Sequence, residues 1–152
     1  MTMTQELFYS ETIVRYKKLQ SSIKYFMLGR GYHTALKAMR IGLEHHIGTR
    51  KDGVTPEFQH QIEQANKART LIDAFLFPEE TLATIFLHDV VEDNGGPEGK
   101  KIPLATIHSE FGPRIANAVW LMTNQYEDGT KKQKTAYYEE MIKDPIASWC
   151  KG

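Results

Sequence analysis

Apolar residues recur at three- and four-residue steps along most of this chain, and no sustained every-other-residue alternation competes with them. That period belongs to amphipathic helices, so the expected fold class is all-α, a helical bundle. In the run 11–28, Ile13, Val14, Tyr16, Leu19, Ile23 and Phe26 fall at helical spacing, and Gly29 and Gly31 stop it. A second helix is predicted over 34–46, with Ala35, Ala38, Met39 and Leu43 on its buried side. The helix before Tyr32 either covers the bundle or mediates association; the sequence leaves both open.

Further along, Thr55-Pro56-Glu57 reads as an N-cap, a proline at the first helical position and an acidic first turn, opening a helix to about residue 75. Pro78-Glu79-Glu80 repeats that opening and leads into the most apolar helix, 81–91, whose small polar face implies burial near the middle of the bundle. Shorter helices are predicted over 104–110, 113–122 and 132–143, and Asp144-Pro145 reads as cap and first position of one more. The stretches 48–55, 94–101 and 125–130 are polar loops. No repeat or long linker divides residues 1–152, so one domain is expected.

Charge narrows the function classes. Nineteen basic and nineteen acidic side chains cancel, which argues against broad capture of nucleic acid or of an anionic membrane. The single cysteine, Cys150, has no intrachain partner and reads as an ordinary thiol. With no secretory pattern at the start and no apolar run of membrane-spanning length, a cytoplasmic protein is expected.

The chemistry concentrates in His88-Asp89-Val90-Val91-Glu92-Asp93. On a helix, His88 and Glu92 are four apart, as are Asp89 and Asp93, so four proton-handling or metal-binding groups would share one edge. The plainer reading is a polar helix terminus. Against it, carboxylates are disfavoured at the negative end of a helix dipole, and a divalent cation would remove that conflict. His60, on the helix opened by Pro56, is a candidate second nitrogen donor. His45 and His46 end a helix and read as ordinary terminal residues, while His33 and His108 read as surface or cap residues. Arg50 and Lys51 beside Gly53 suit a phosphate, or form a solvated charged loop.

Taken in order, Arg50-Lys51-Asp52-Gly53, Pro56-Glu57-Phe58-Gln59-His60, the run from Leu87 to Asp93, and Phe111-Gly112 resemble the hydrolase domain of RelA/SpoT-type alarmone enzymes. Thr123-Asn124 and Tyr137-Tyr138 are weaker echoes, and the resemblance spans roughly residue 35 to the C-terminus. It implies an all-α HD-domain bundle that removes the 3′-pyrophosphate from guanosine tetra- or pentaphosphate, usually with manganese. Carried onto this chain, it makes His60, His88 and Asp89 metal ligands, Glu92 and Asp93 the groups that position and deprotonate the attacking water, and Arg50 and Lys51 substrate contacts. The implied partner is a small nucleotide, with no nucleic acid and no membrane.

The chain also departs from that family. The loop between Arg50 and His60 is about a residue longer, and Gln61 replaces a common proline, changes expected to affect base recognition while leaving the metal logic intact. The family's fourth ligand, an Asp in a late helix, is expected where Ser148-Trp149-Cys150-Lys151-Gly152 ends, so reduced or absent turnover is expected of this length of chain. At this length the synthetase domain of long family members is not expected, and a stand-alone hydrolase is. Two other readings stay open: an HD hydrolase for another nucleotide or phosphoester, and a degenerate HD module that binds a nucleotide or a protein.

Overall fold

The computed structural model describes residues 2–91, 102–123, 131 and 133–151, with the backbone alone at 134–136 and 151. The fold is all-α, as the period predicts; the described residues form no named strand, and Thr49 pairs with Pro56 in an isolated bridge. The helices are α1 (Met3–Arg30), α2 (His33–His45), α3 (Gln59–Arg69), α4 (Pro78–Leu87), α5 (Leu104–Phe111), α6 (Pro113–Met122), α7 (Lys134–Met141) and α8 (Ala147–Lys151), with a 3-10 turn at Ile72–Ala74 between α3 and α4. Among the described residues, no helix is long and apolar enough to cross a membrane.

α1 starts eight residues earlier than the apolar pattern suggests. Thr2 and Gln5 form a capping box: the Gln5 amide donates to Thr2 Oγ1 (3.1 Å), and the Thr2 amide donates to Gln5 Oε1 (2.7 Å). At the other end, Gly31 takes φ 71°, the left-handed conformation that closes a helix. α3, in contrast, starts later than predicted. Thr55 does not cap it; its hydroxyl and amide both go to Asp52 (2.6 and 2.8 Å), and Pro56 is held in the bridge with Thr49. Pro78 does open α4 and Pro113 does open α6, each in the first turn. Asp144 acts as the predicted cap, with Oδ1 accepting from the amides of Ile146 and Ala147 at 2.9 Å each.

α4 is the axis of the bundle. All seven side chains from Thr81 to Leu87 are buried, and α2, α3, α6 and α8 all pack on it. Its two threonines satisfy their hydroxyls locally: Thr81 donates to the Phe77 carbonyl (2.7 Å) and Thr84 to the Glu80 carbonyl (2.8 Å). α1 lies outside this group, tied to α3 by Asn66 Nδ2 donating to the Leu19 carbonyl (3.0 Å) and by Arg69 donating to Ser22 Oγ (2.6 Å).

α2 comes close against α4 at Gly42. A Cβ on Gly42 would lie 2.5 Å from the Phe58 ring and 2.8 Å from the Phe86 carbonyl oxygen, closer than real Cβ contacts allow. We predict that Gly42→Ala lowers stability by about 1–3 kcal/mol through overpacking. Thermal melts of the two proteins check this, and an unchanged midpoint would show that the helices separate at no cost.

Candidate active site

α4 stops one residue before the His-Asp pair. Leu87 is its last residue, His88 is the C-cap, and residues 88–91 run in turns, with the Val90 amide reaching back only three residues to the Leu87 carbonyl (3.2 Å). This corrects the expected helix over 81–91. The Val90 carbonyl accepts from the Ile102 amide (2.7 Å), so the chain is tied to the segment before α5. Val90 and Val91 stay buried, which leaves His88 and Asp89 as the polar pair at the mouth of the core. The four-residue spacing of His88 with Glu92, and of Asp89 with Asp93, therefore does not rest on a continuous helix. Glu92 and Asp93 themselves lie outside the described residues.

Each residue of the pair is fixed by its surroundings. His88 places Nδ1 2.7 Å from the Ile85 carbonyl oxygen. A carbonyl only accepts, so Nδ1 carries a hydrogen, and Nε2 is the ring nitrogen left without that bond. Asp89 uses both oxygens: Oδ1 accepts from His46 Nε2 (3.0 Å) and Oδ2 accepts from Gln61 Nε2 (3.0 Å). Burial alone would raise the Asp89 pKa. The His46 hydrogen bond, the charges of His88 and His46, and the Gln61 amide more than offset it and bring the carboxyl down to about 2.

His46 was read from sequence as an ordinary helix-terminal residue, and the structure corrects that. Its side chain is only 5% exposed, its Nδ1 stands 3.8 Å from Glu57 Oε2, and its ring stacks on Phe58 at 5.7 Å and 20°. An imidazole is thus held between two carboxylates, one on each nitrogen. Gln61 was expected to bear on base recognition alone; it holds one of the predicted metal ligands in place instead. Neither role shows in the local sequence, because both depend on which helix lies opposite. The nearest signal for His46 is that it closes α2 just ahead of the charged loop, and for Gln61 that a long amide on α3 is buried.

His60 and His88 come from different elements, α3 and the end of α4, and line one cleft of about 640 Å³ together with Glu63, Lys67, Ser148 and Trp149. The two rings are 6.4 Å apart between centroids and nearly perpendicular, at 78°. Burial lowers the His60 pKa, and the charges of His88 and Arg50 lower it further, so the ring is neutral at neutral pH. Lys67 had no place in the sequence reading, and Trp149 entered it only as part of the closing run 148–152. Cys150 also lines the cleft, but burial, assisted by the charge of Asp144, pushes its thiol up to about 12, which agrees with an unreactive cysteine.

The loop carrying Arg50 and Lys51 is built around Asp52. Its carboxylate accepts from the amides of Val54 and Thr55 and from the Thr55 hydroxyl, and Gly53 takes φ 71° to close the turn on the Arg50 carbonyl. Arg50 and Lys51 are exposed on this loop. Neither Arg50 nor Lys51 is among the residues that line the cleft, although Arg50 is near enough for its charge to act on His60. His33 and His108 are exposed, at the start of α2 and the last turn of α5, as expected. Among the described residues, no three His, Cys, Asp or Glu side chains gather closely enough to hold a metal ion. Comparison of the chain with known protein families, with curated proteins and with solved structures found no match in any of the three.

The Asp89 clamp sets a pH dependence with a definite sign. A carboxyl lowered from 3.8 to about 2 in the folded chain stabilises the fold above pH 4, and that contribution is lost as the pH falls from about 4 to about 2. Its size is roughly 2 kcal/mol. We predict that Asp89→Asn flattens this part of the stability profile, measured as melting temperature against pH. An acid limb with the same slope in both proteins would show that other carboxylates set it.

Proposed function

We propose that this chain is a metal-dependent phosphohydrolase of the HD type, and that its substrate is a guanine nucleotide bearing a 3′-pyrophosphate. The observation that carries the reading is the meeting of His60 and His88, from two separate elements, across one cleft beside the ionised Asp89. The ordered resemblance of the Arg50-Lys51 loop, His60 and the His88-to-Asp93 run to the alarmone hydrolases supplies the substrate class.

A divalent ion fits the donor set on three counts. His88 has Nε2 to offer because Nδ1 is committed to Ile85, an arrangement common behind metal-ligating histidines. His60 is neutral at the pH where a ligand must be. Asp89 is ionised, and one hydrogen bond per oxygen leaves each with a further lone pair. Imidazoles sharing an ion through bonds of about 2.1 Å have centroids roughly 5–6 Å apart, so the observed 6.4 Å asks for a small inward turn of His60. Two imidazoles and a carboxylate with open positions suit manganese, which when bound would polarise a phosphoryl oxygen.

The remaining roles fall to the chain itself. His46 and Gln61 hold Asp89 in one orientation, so it needs no reorganisation on binding. Glu92 and Asp93, following Val91 directly, are the carboxylates assigned to orient the attacking water and take its proton. Arg50 offers a planar fork to the phosphates, with Lys51 as a mobile second cation. A cleft of about 640 Å³ is of the size that holds a nucleotide.

One observation favours a second reading, nucleotide binding without turnover: both Asp89 oxygens are engaged, and no third donor stands close among the described residues. Calorimetry with manganese and nucleotide, run beside an assay for released pyrophosphate, separates the two. We predict slow manganese-dependent release, since three donors stand where the resembled family has four. Asp89→Ala abolishes manganese binding, whereas Glu92→Gln keeps the metal and slows release by about 10²–10⁴-fold, as expected for loss of a proton acceptor. Equal metal loss in both variants would show that the roles are wrongly divided. A wild-type chain that binds no manganese and releases nothing ends the hydrolase reading.

A further inference from the structure

α1 carries two apolar stripes on opposite sides. One is buried in the fold: Ile23 and Met27, flanked by Tyr16, Leu19 and Phe26, face the core. The other consists of Met3, Leu7, Val14, Tyr25 and Leu28, which are 84, 60, 51, 67 and 44% exposed; Phe8 and Tyr9, also exposed, lie on the inner side in the first turns, ahead of the part of α1 that packs on the fold. At about 100° of turn per residue, these five fall within an arc of roughly 60°, centred opposite the buried stripe. A helix that packs on one neighbour needs one such stripe. A second, aligned over the full length of α1, calls for a second partner.

The charges beside the outer stripe say what that partner is. Glu6 and Glu11 lie in the N-terminal half of α1, and Lys17, Lys18 and Lys24 in the C-terminal half. Glu11 and Lys18 edge one flank of the stripe; Glu6, Lys17 and Lys24 edge the other. None of Glu6, Glu11, Lys18 and Lys24 makes an ion pair among the described residues. Two copies of α1 side by side in the same direction would set like charges together. Two copies running in opposite directions about a two-fold axis bring each flank against the same flank of the partner. Glu11 then meets Lys18 on one side and Glu6 meets Lys24 on the other. Both pairings put the crossing point at Val14–Arg15, where Val14 approaches its own copy and Met3 reaches Tyr25 of the other chain.

The geometry points to the outer face of α1 as a self-association surface, on which a second copy of this chain docks antiparallel with its centre at Val14. This inference is independent of any chemistry in the cleft. Shallow troughs on both sides of Val14, one between Ser10 and Leu19 and the other between Lys17 and Tyr25, offer the grooves that ridges of a second helix would enter.

Sedimentation equilibrium between about 1 and 200 μM tests it. The wild-type chain is expected to dimerise in that range. Val14→Glu is expected to be monomeric throughout, with unchanged circular dichroism and, at concentrations where the wild type is also monomeric, unchanged melting, because Val14 lies outside the core. Glu11→Lys alone and Lys18→Glu alone should each weaken the dimer about tenfold, since every two-fold pair occurs twice. The double variant Glu11→Lys/Lys18→Glu should return to within about twofold of wild type, its pairs restored with signs exchanged. A parallel pair would show no such rescue. A monomeric wild type, a dimer that survives Val14→Glu, or a double variant no tighter than the single ones would each overturn the proposal.

Discussion

α2 reaches α4 at Gly42 with no side chain between them, and the candidate site depends on that approach. Phe58 fills the space a Cβ would take, packs on Phe86 at 5.9 Å, and stacks under the His46 ring. The aromatic that seals the core is therefore also the one that orients the imidazole. Because interiors are packed to crystal-like density, a larger residue at Gly42 would not be absorbed locally. It would lift the end of α2, and with it His46, away from Asp89.

The clamp also resolves an electrostatic conflict. Asp89 follows the C-terminal end of α4, where the helix dipole and burial both act against a carboxylate. Two hydrogen bonds from other parts of the chain reverse the balance. The result is a fixed negative charge beside two imidazoles across the whole physiological range of pH. A buried charge of this kind adds little to net stability relative to an apolar residue, so its value to the chain lies in orientation. Removing one partner and leaving the other is the costly change, because a desolvated group then has nothing to bond.

Helix identity was legible in the sequence because it rests on local rules: apolar period, proline in the first turn, glycine at the end. α6 and the opening of α4 follow those rules closely, whereas α8 opens at Ala147, three residues past Asp144. The departures have specific causes. The Thr2–Gln5 box carries α1 past its apolar stripe, and Asp52 outcompetes α3 for the Thr55 hydroxyl. His60, His88 and Asp89 could be named because their side-chain chemistry is unusual for their positions. His46 and Gln61 could not, since what matters is the carboxylate they meet 43 and 28 residues away. No local pattern encodes a partner at that distance.

α3 separates the two surfaces of interest. On one side Ile62, Asn66 and Arg69 face α1, through the bonds to Leu19 and Ser22; on the other, His60, Gln64 and Lys67 line the cleft. Glu63 spans both, lining the cleft while pairing with Arg15 of α1 at 3.7 Å. The outer stripe of α1 looks away from α3, so a second chain docked there leaves the cleft open. Influence between the two could pass through the Arg15–Glu63 pair, the Asn66 and Arg69 bonds, or the packing of α1 on α2 and α3. A half-exposed ion pair is a weak mechanical link. The proposed association and the proposed chemistry would thus be separable properties of one helix pair, with α1 facing outward and α3 facing the cleft.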